Sequence, residues 1–174
     1  HLGCITYDAA KNRVYGSLEY KHDIIGRGIM NKTGRALADE DAFYAVCFDC
    51  DAINRPDMDA ETDGVMQAVY LCDVLRDYSE RDEVSGAEHR YGCSGIDGMG
   101  LGPVFGEAKD SPKKLMIAYG IYSDILRQDN DHQVILQYDP SVFDTYGKSL
   151  NQLHPHHSGP DCCEARYFLY TGNT

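Results

Sequence analysis

The chain has 174 residues, of which 43% are hydrophobic and 25% are charged, and its formal net charge is −12. This length and apolar content suit one domain with a hydrophobic core, whereas the acidic charge argues against nucleic acid as a partner. No apolar run approaches the roughly 18 residues of a membrane span, so we expect no membrane partner.

Strand-like segments occur along the chain in two sets of four. The first set covers approximately residues 2–8, 13–22, 42–49 and 66–73, and the second covers 96–105, 114–123, 132–139 and 165–171. Turn-forming residues separate the members of each set. We find no convincing amphipathic helix, because the one candidate, residues 67–76, is rich in β-branched and aromatic residues and fits a strand equally well.

The two sets are copies of one unit, spanning about residues 1–78 and 89–174 of a single domain, 1–174. The alignment places residues 41–53 over 131–143, residues 12–23 over 113–124, and residues 66–73 over 165–172. A four-stranded unit repeated in tandem is typical of propeller blades. We therefore predict an all-β fold of β-propeller type, with a plain β-sandwich as the alternative.

The number of copies limits what the chain can form alone. Propellers need about four to eight blades to close a ring, and this chain has two. We therefore expect it to be a fragment of a larger propeller, closed by other segments or by other copies.

Antiparallel pairing gathers many polar residues at one rim of these units, because strands 1 and 3 start where strands 2 and 4 end. In the first copy this rim receives His1, Lys21, His22, Asp23 and Asp41. In the second copy it receives His89, Arg90, Tyr91, Arg127 and His132. Strand ends also attract polar residues for solvation alone, but a rim rich in His, Arg, Tyr and Asp is a candidate site.

These side chains suit the removal of a proton beside a carboxylate. One group neutralises the acid, a second takes the proton, and a third protonates the departing oxygen. This reaction is β-elimination, by which polysaccharide lyases cleave glycans that contain uronic acids.

The stretch from His1-Leu-Gly-Cys-Ile-Thr-Tyr-Asp through Tyr20-Lys-His-Asp places two histidines on one hairpin. It resembles the histidine pair of the seven-bladed β-propeller polysaccharide lyases, which include ulvan lyases and rhamnose–glucuronate lyases. The resemblance implies a carbohydrate substrate cleaved next to glucuronate or iduronate, with His1 and His22 as the catalytic pair. It also implies a catalytic Tyr and an Arg, and a structural metal ion in some members.

The residues predicted at this rim include candidates for the catalytic Tyr and Arg and for contacts to the substrate. Tyr122 and Arg127 are the predicted catalytic partners, with Tyr91, Tyr119 and Arg90 as alternatives. Contacts to the substrate are predicted for Lys21, Arg90, Tyr91 and His132.

Two other functions remain open from the sequence. A propeller with no catalytic activity could present the same rim as a binding face. A glycoside hydrolase of the same architecture would need two carboxylates facing each other across a cleft. The pool for such a pair is Asp23, Asp73, Asp97 and Asp124.

A loop of the second copy combines His154, His156 and His157 with Cys162 and Cys163. Imidazole and thiolate are preferred zinc ligands, so this loop is a candidate site for a structural ion, zinc or calcium. We predict no organic cofactor, because the glycine-rich run at 92–102 leads into a strand and not into a nucleotide-binding helix.

Cysteine usage bears on the redox compartment. The seven cysteines follow no spaced framework, which favours the cytoplasm, whereas the lyase resemblance favours a secreted or periplasmic protein. Cys47 and Cys50 form a CxxC pair without a second one, which indicates a structural pair.

Overall fold

The computed structural model describes residues 2–33, 41–53, 55–59, 62–83, 85–120, 132–149, 152–153 and 162–170. Its strands are β1 (Leu2–Asp8), β2 (Arg13–Tyr20), β3 (Ala42–Asp49), β4 (Met66–Tyr70), β5 (Gly98–Gly102), β6 (Lys114–Gly120), β7 (His132–Tyr138) and β8 (Ala165–Tyr170). Its α-helices are α1 (Ile24–Thr33), α2 (Cys50–Ile53), α3 (Cys72–Ser79) and α4 (Val142–Tyr146). A 3-10 turn, Arg90–Gly92, precedes β5.

The strands form two four-stranded antiparallel sheets. Sheet 1 has the order β1-β2-β3-β4, and sheet 2 has the order β5-β6-β7-β8. In both sheets each strand pairs with the next strand along the chain. The prediction of two four-stranded antiparallel units is therefore confirmed, and the fold is mostly β.

The expectation of a chain without helices is wrong. Helix α1 begins after Asp23, whose Oδ1 accepts the backbone N–H of Gly26 at 2.8 Å, so the side chain satisfies a donor that a helix start leaves unpaired. Helix α3 occupies the end of the strand predicted at 66–73, and β4 ends at Tyr70. Tertiary packing favours the helical conformation of this segment, because it buries Val74 of α3 completely.

Alternate side chains of the strands pack between the two sheets. The buried residues of this core are Tyr15, Phe43, Ala45, Cys47 and Val69 from sheet 1, and Leu115, Ile117, Tyr119, Val134, Leu136 and Tyr138 from sheet 2. Val74 of α3 and Phe143 of α4 join the same cluster. The two sheets therefore share one hydrophobic core, and their mutual position is fixed by apolar burial.

The other face of sheet 1 is also apolar, but it is unevenly covered. On β3 and β4, residues such as Tyr44, Val46 and Ala68 are buried, and Leu153 packs against them. On β1, by contrast, Leu2 is 45% exposed, Ile5 61% and Tyr7 56%.

Polar contacts fix the segment that leads into β5 against the end of β2. Glu19 accepts the backbone N–H of Ile96 through Oε1, and Lys21 Nζ donates to the carbonyl of Ser94 at 2.7 Å. The junction between the two sheets is thus built at the rim where β2 ends. Among the described helices, none is both long and apolar enough to cross a bilayer.

Candidate active site

The end of β2 and the start of β3 meet at this rim, because Tyr20 pairs with Ala42 in the sheet. The flanking residues are therefore neighbours. The backbone N–H of His22 donates to Asp41 Oδ1 at 2.6 Å, and His22 Nδ1 lies 3.6 Å from the same oxygen. His22 is thus held beside the carboxylate of Asp41.

A second histidine, His89, lies just before the 3-10 turn and contacts the end of α3. Its ring stacks on the ring of Tyr78 with centroids 4.3 Å apart, and its Nδ1 lies 2.5 Å from the Tyr78 carbonyl oxygen. A carbonyl oxygen only accepts hydrogen bonds, so Nδ1 carries the proton. In neutral His89 the lone pair is therefore on Nε2, which can take up a proton.

A cleft of about 360 Å³ brings these elements together. It is lined by Asp41, Tyr78, Ser79, Glu80, Arg81, Glu88 and His89. Asp41 connects the cleft to His22. The guanidinium of Arg81 is 67% exposed and lies 3.5 Å from the carboxylate of Glu88, so the cleft combines an exposed cation with a tyrosine and a histidine.

Tyr78 is a proton donor in this setting. Burial raises the pKa of Tyr78 to about 12, and the negative charges of Asp41 and Asp23 act in the same direction. The hydroxyl therefore keeps its proton at neutral pH. The ring is fixed between His89 and Phe43, whose centroid is 5.1 Å away.

The backbone around His89 adopts an unusual conformation. His89 has a φ of +67° and Tyr91 a φ of +54°, a region that side chains other than glycine rarely occupy. Such conformations persist only where neighbouring contacts impose them, and they concentrate at functional sites. Here the backbone N–H of Arg90 donates to the carbonyl of Glu80 at 2.8 Å, and the Arg90 side chain supplies a second anchor.

The Arg90 side chain binds Asp77, a completely buried carboxylate on α3. Its Oδ1 accepts Arg90 Nε at 2.9 Å and Nη2 at 2.6 Å. Its Oδ2 accepts Arg166 Nη1 at 2.6 Å and the hydroxyl of Tyr119. Burial, and then the charge of Asp77, raises the pKa of Tyr119, which keeps that hydroxyl protonated as a donor. The network ties α3, the 3-10 turn and sheet 2 together.

Three of the residues predicted to contact the substrate have protein partners in the structure. Lys21 Nζ is 3.3 Å from Glu19 Oε2, and Arg90 is shared between Asp77 and Glu80. The ring of Tyr91 meets that of Phe168 with centroids 5.1 Å apart. The guanidinium of Arg90 is therefore a positioning group for the turn, and Arg81 is the cation exposed in the cleft.

Several predicted site residues lie outside the described residues: His1, Tyr122, Asp124, Arg127, His154, His156 and His157. The backbone of His132 opens β7 and pairs with Tyr170. The pairing of His1 with His22 and the catalytic assignments of Tyr122 and Arg127 thus stay predictions. His89 is the histidine that the structure brings to the cleft beside Asp41.

The described part of the predicted metal loop consists of Cys162 and Cys163. The thiol of Cys163 donates to the carbonyl of Ala165 at 3.2 Å, and burial raises its pKa. The three histidines of the loop lie outside the described residues, so the metal site stays a prediction. Among the described residues, no group of three or more His, Cys, Asp or Glu is placed to hold an ion. No disulfide joins the cysteines.

The carboxylates considered for hydrolysis have structural partners. Asp23 caps α1, Asp73 is buried and lies 3.3 Å from Arg166 Nη2, and Asp97 Oδ2 accepts the backbone N–H of Gly120 at 3.1 Å. These contacts give no facing pair of carboxylates among the described residues of the pool.

The sequence interpretation missed the contribution of α3, which supplies Tyr78 to the cleft and Asp77 to its support. A signal was present. Leu71, Val74, Leu75 and Tyr78 recur at the spacing of a helix face. The short length of the segment and its position after a strand concealed that period.

Comparison with known proteins adds no identification. No family model matches the chain, no curated protein matches it, and no solved structure matches it.

Proposed function

We propose that this protein is a polysaccharide lyase that cleaves a uronate-containing glycan by β-elimination in the cleft between α3 and the rim of sheet 1. The observation that supports it best is the pairing of Tyr78 with His89. One ring is a protonated acid with a raised pKa, and the other is fixed in the tautomer that leaves Nε2 as a base. β-Elimination needs both groups close together.

The proposed reaction assigns one step to each group. Arg81 pairs with the uronate carboxylate, which lowers the cost of negative charge on the neighbouring carbon. His89 Nε2 removes the proton from that carbon, and the electrons of the broken C–H bond form a C=C bond. The glycosidic C–O bond breaks, and Tyr78 gives its proton to the departing oxygen.

His22 acts on Asp41 in this proposal. Asp41 lines the cleft, and its Oδ1 accepts the backbone N–H of His22 at 2.6 Å. This hydrogen bond partly offsets the negative charge of Asp41 and so reduces the repulsion between Asp41 and a uronate. This assignment retains His22 from the lyase resemblance and replaces its predicted partner His1 with His89.

We also propose that the two sheets are blades of a β-propeller. Both are meanders with the same strand order, and their first strands, β1 and β5, lie against each other. Successive blades of a propeller place their first strands side by side around a central channel. The cleft would then open at one mouth of that channel.

Two substitutions test the catalytic pair. Tyr78→Phe and His89→Gln should each lower the rate of elimination by about 100-fold or more, measured by the rise in ultraviolet absorbance of the unsaturated uronate product. Tyr146→Phe is the matched control, because Tyr146 lies on α4, is 42% exposed and does not line the cleft. It should leave the rate unchanged.

Thermal unfolding of each variant separates catalysis from folding. The proposal requires that Tyr78→Phe remain folded and still bind the glycan, because the ring keeps its place between Phe43 and His89. Full activity in either variant would remove the pair from the mechanism. Binding of uronate glycans without turnover by the wild-type protein would favour a binding module instead.

A further inference from the structure

Equivalent faces of the two sheets are buried to different extents. The strand registers identify which residues of β1 and β5 are equivalent. In sheet 1, Ile5 of β1 pairs with Gly16 of β2, and in sheet 2, Met99 of β5 pairs with Ile117 of β6. The sequence repeat places residues 12–23 over 113–124 and so makes Gly16 equivalent to Ile117. Ile5 is therefore equivalent to Met99.

The same register makes Tyr7 equivalent to Leu101, since Tyr7 pairs with Val14 and Leu101 pairs with Leu115. In sheet 2, Met99 and Leu101 pack against the core shared with sheet 1. In sheet 1, their equivalents Ile5 and Tyr7 are 61% and 56% exposed. Sheet 1 thus repeats, at its first strand, the apolar face with which sheet 2 docks.

A complementary surface lies on the other face of sheet 2. Gly98, Gly100 and Gly102 occupy the positions of β5 that alternate with Met99 and Leu101, so this face of the strand carries no side chains. A Cβ atom at Gly100 or at Gly102 would meet nothing within 4 Å.

These glycines form the floor of a groove of about 410 Å³. It is lined by Gly100, Leu101, Gly102, Pro103, Val104, Phe105, Gly106, Glu107 and Met116. Phe105 is 53% exposed at its side. The groove is predominantly apolar, and its shape suits bulky side chains from a strand that lies along it.

We propose that the exposed side chains of β1, namely Leu2, Ile5 and Tyr7, dock into the glycine-lined groove beside β5 of a second copy of this chain. The contact would repeat between molecules the arrangement that sheet 1 and sheet 2 have within one molecule. It is heterologous, since one copy gives its β1 face and the other gives its groove. It does not depend on the proposed lyase activity.

Three features of the molecule support a second copy as the occupant. The β1 face and the groove belong to the same molecule, so any two copies are complementary. Exposed apolar side chains in a contiguous group mark interaction surfaces. Leu2, Ile5 and Tyr7 carry no charge, so the net charge of −12 opposes association only at long range, and added salt should strengthen it.

The first test compares two isoleucines of equal exposure. Ile5 is 61% exposed on the docking face, and Ile25 is 63% exposed on α1. Ile5→Lys should weaken self-association by about tenfold or more, whereas Ile25→Lys should leave it unchanged. Sedimentation equilibrium measures the association constant of both variants and of the wild-type protein over the micromolar range.

The second test uses the groove. Gly100→Lys places a charged side chain on the groove floor, in space that is open in one molecule, and should also abolish self-association. Ile5→Lys keeps an intact groove and Gly100→Lys keeps an intact β1 face, so their mixture should form a one-to-one complex and nothing larger. Failure of the mixture to associate would contradict the head-to-tail contact. A wild-type protein that stays monomeric at every concentration and salt would overturn the proposal and leave another protein segment as the occupant.

Discussion

At the residue scale, Asp77 determines how the rest of the site is built. It is completely buried, and it accepts hydrogen bonds from Arg90, Arg166 and Tyr119. A buried carboxylate is tolerated only when such partners compensate for its lost hydration. Because Arg90 lies in the turn next to His89, Asp77 also fixes the position of the proposed base.

Replacement of Asp77 should therefore destabilise the protein strongly. Asp77→Ala leaves two guanidinium groups and a tyrosine hydroxyl without their shared acceptor, and should cost about 3 kcal/mol or more of unfolding free energy. Urea unfolding measures this loss.

A matched carboxylate provides the comparison. Asp144 pairs with Arg13 at 3.4 Å and its side chain is 57% exposed, so Asp144→Ala should cost less than about 1 kcal/mol. Equal losses of unfolding free energy for the two variants would show that the buried network stabilises the protein no more than an exposed ion pair does.

At the element scale, the strands could be predicted and the helices could not. Strands β1 and β3 were predicted at their observed bounds, because turn residues bound them and β3 is a continuous apolar run. Helix α3 has only eight residues, and its direction is set by burial of Val74 and Asp77 against the core. The apolar residues of α3 recur at helical spacing, but in so short a segment the period alone does not distinguish a helix from a strand.

Three strand ends of sheet 2 are joined by one lysine. Lys114 Nζ, at the start of β6, donates to Asp139 Oδ2 at 2.7 Å and to Glu164 at 2.9 Å. Asp139 directly follows β7, and Glu164 directly precedes β8. The hydrogen bond from Lys114, with further bonds from Ser141, holds the pKa of Asp139 well below its ordinary value.

This contact predicts a pH dependence of stability. The folded pKa of Asp139 is below the unfolded value of about 3.9, so its contribution is present at neutral pH and is lost as the pH falls through the folded pKa. Asp139→Asn should thus destabilise more at neutral pH than in acid. Because the carboxylate is 43% exposed, the loss should stay below about 1 kcal/mol.

Urea unfolding at neutral and acidic pH measures the effect, and Lys114→Met is the control background. Without Lys114 the effect of Asp139→Asn should depend less on pH, because only the hydrogen bonds from Ser141 remain. A loss that is the same at both pH values in the wild-type background would contradict the assigned cause.

At the scale of the whole molecule, the repeat carried most of the predictive power. It predicted two four-stranded units, and it placed His22 and Asp41 at one rim. In the structure the backbone N–H of His22 donates to Asp41 Oδ1. The cleft could not be predicted from the sequence, because Tyr78 and His89 meet only after α3 and the turn at Arg90 fold against both sheets. Contacts between elements that are not paired strands leave no regular pattern in a sequence.

The most direct test of the central claim is the fate of water oxygen during cleavage. The wild-type protein is incubated with uronate-containing glycans in oxygen-18-labelled water, and the masses of the products are measured by mass spectrometry. Elimination predicts an unsaturated uronate and, in products analysed before their reducing ends exchange with the solvent, no labelled oxygen, since no water enters the bond. Products that gain one labelled oxygen would show hydrolysis, and would contradict the assignment of Tyr78 and His89 as the acid and base of a lyase.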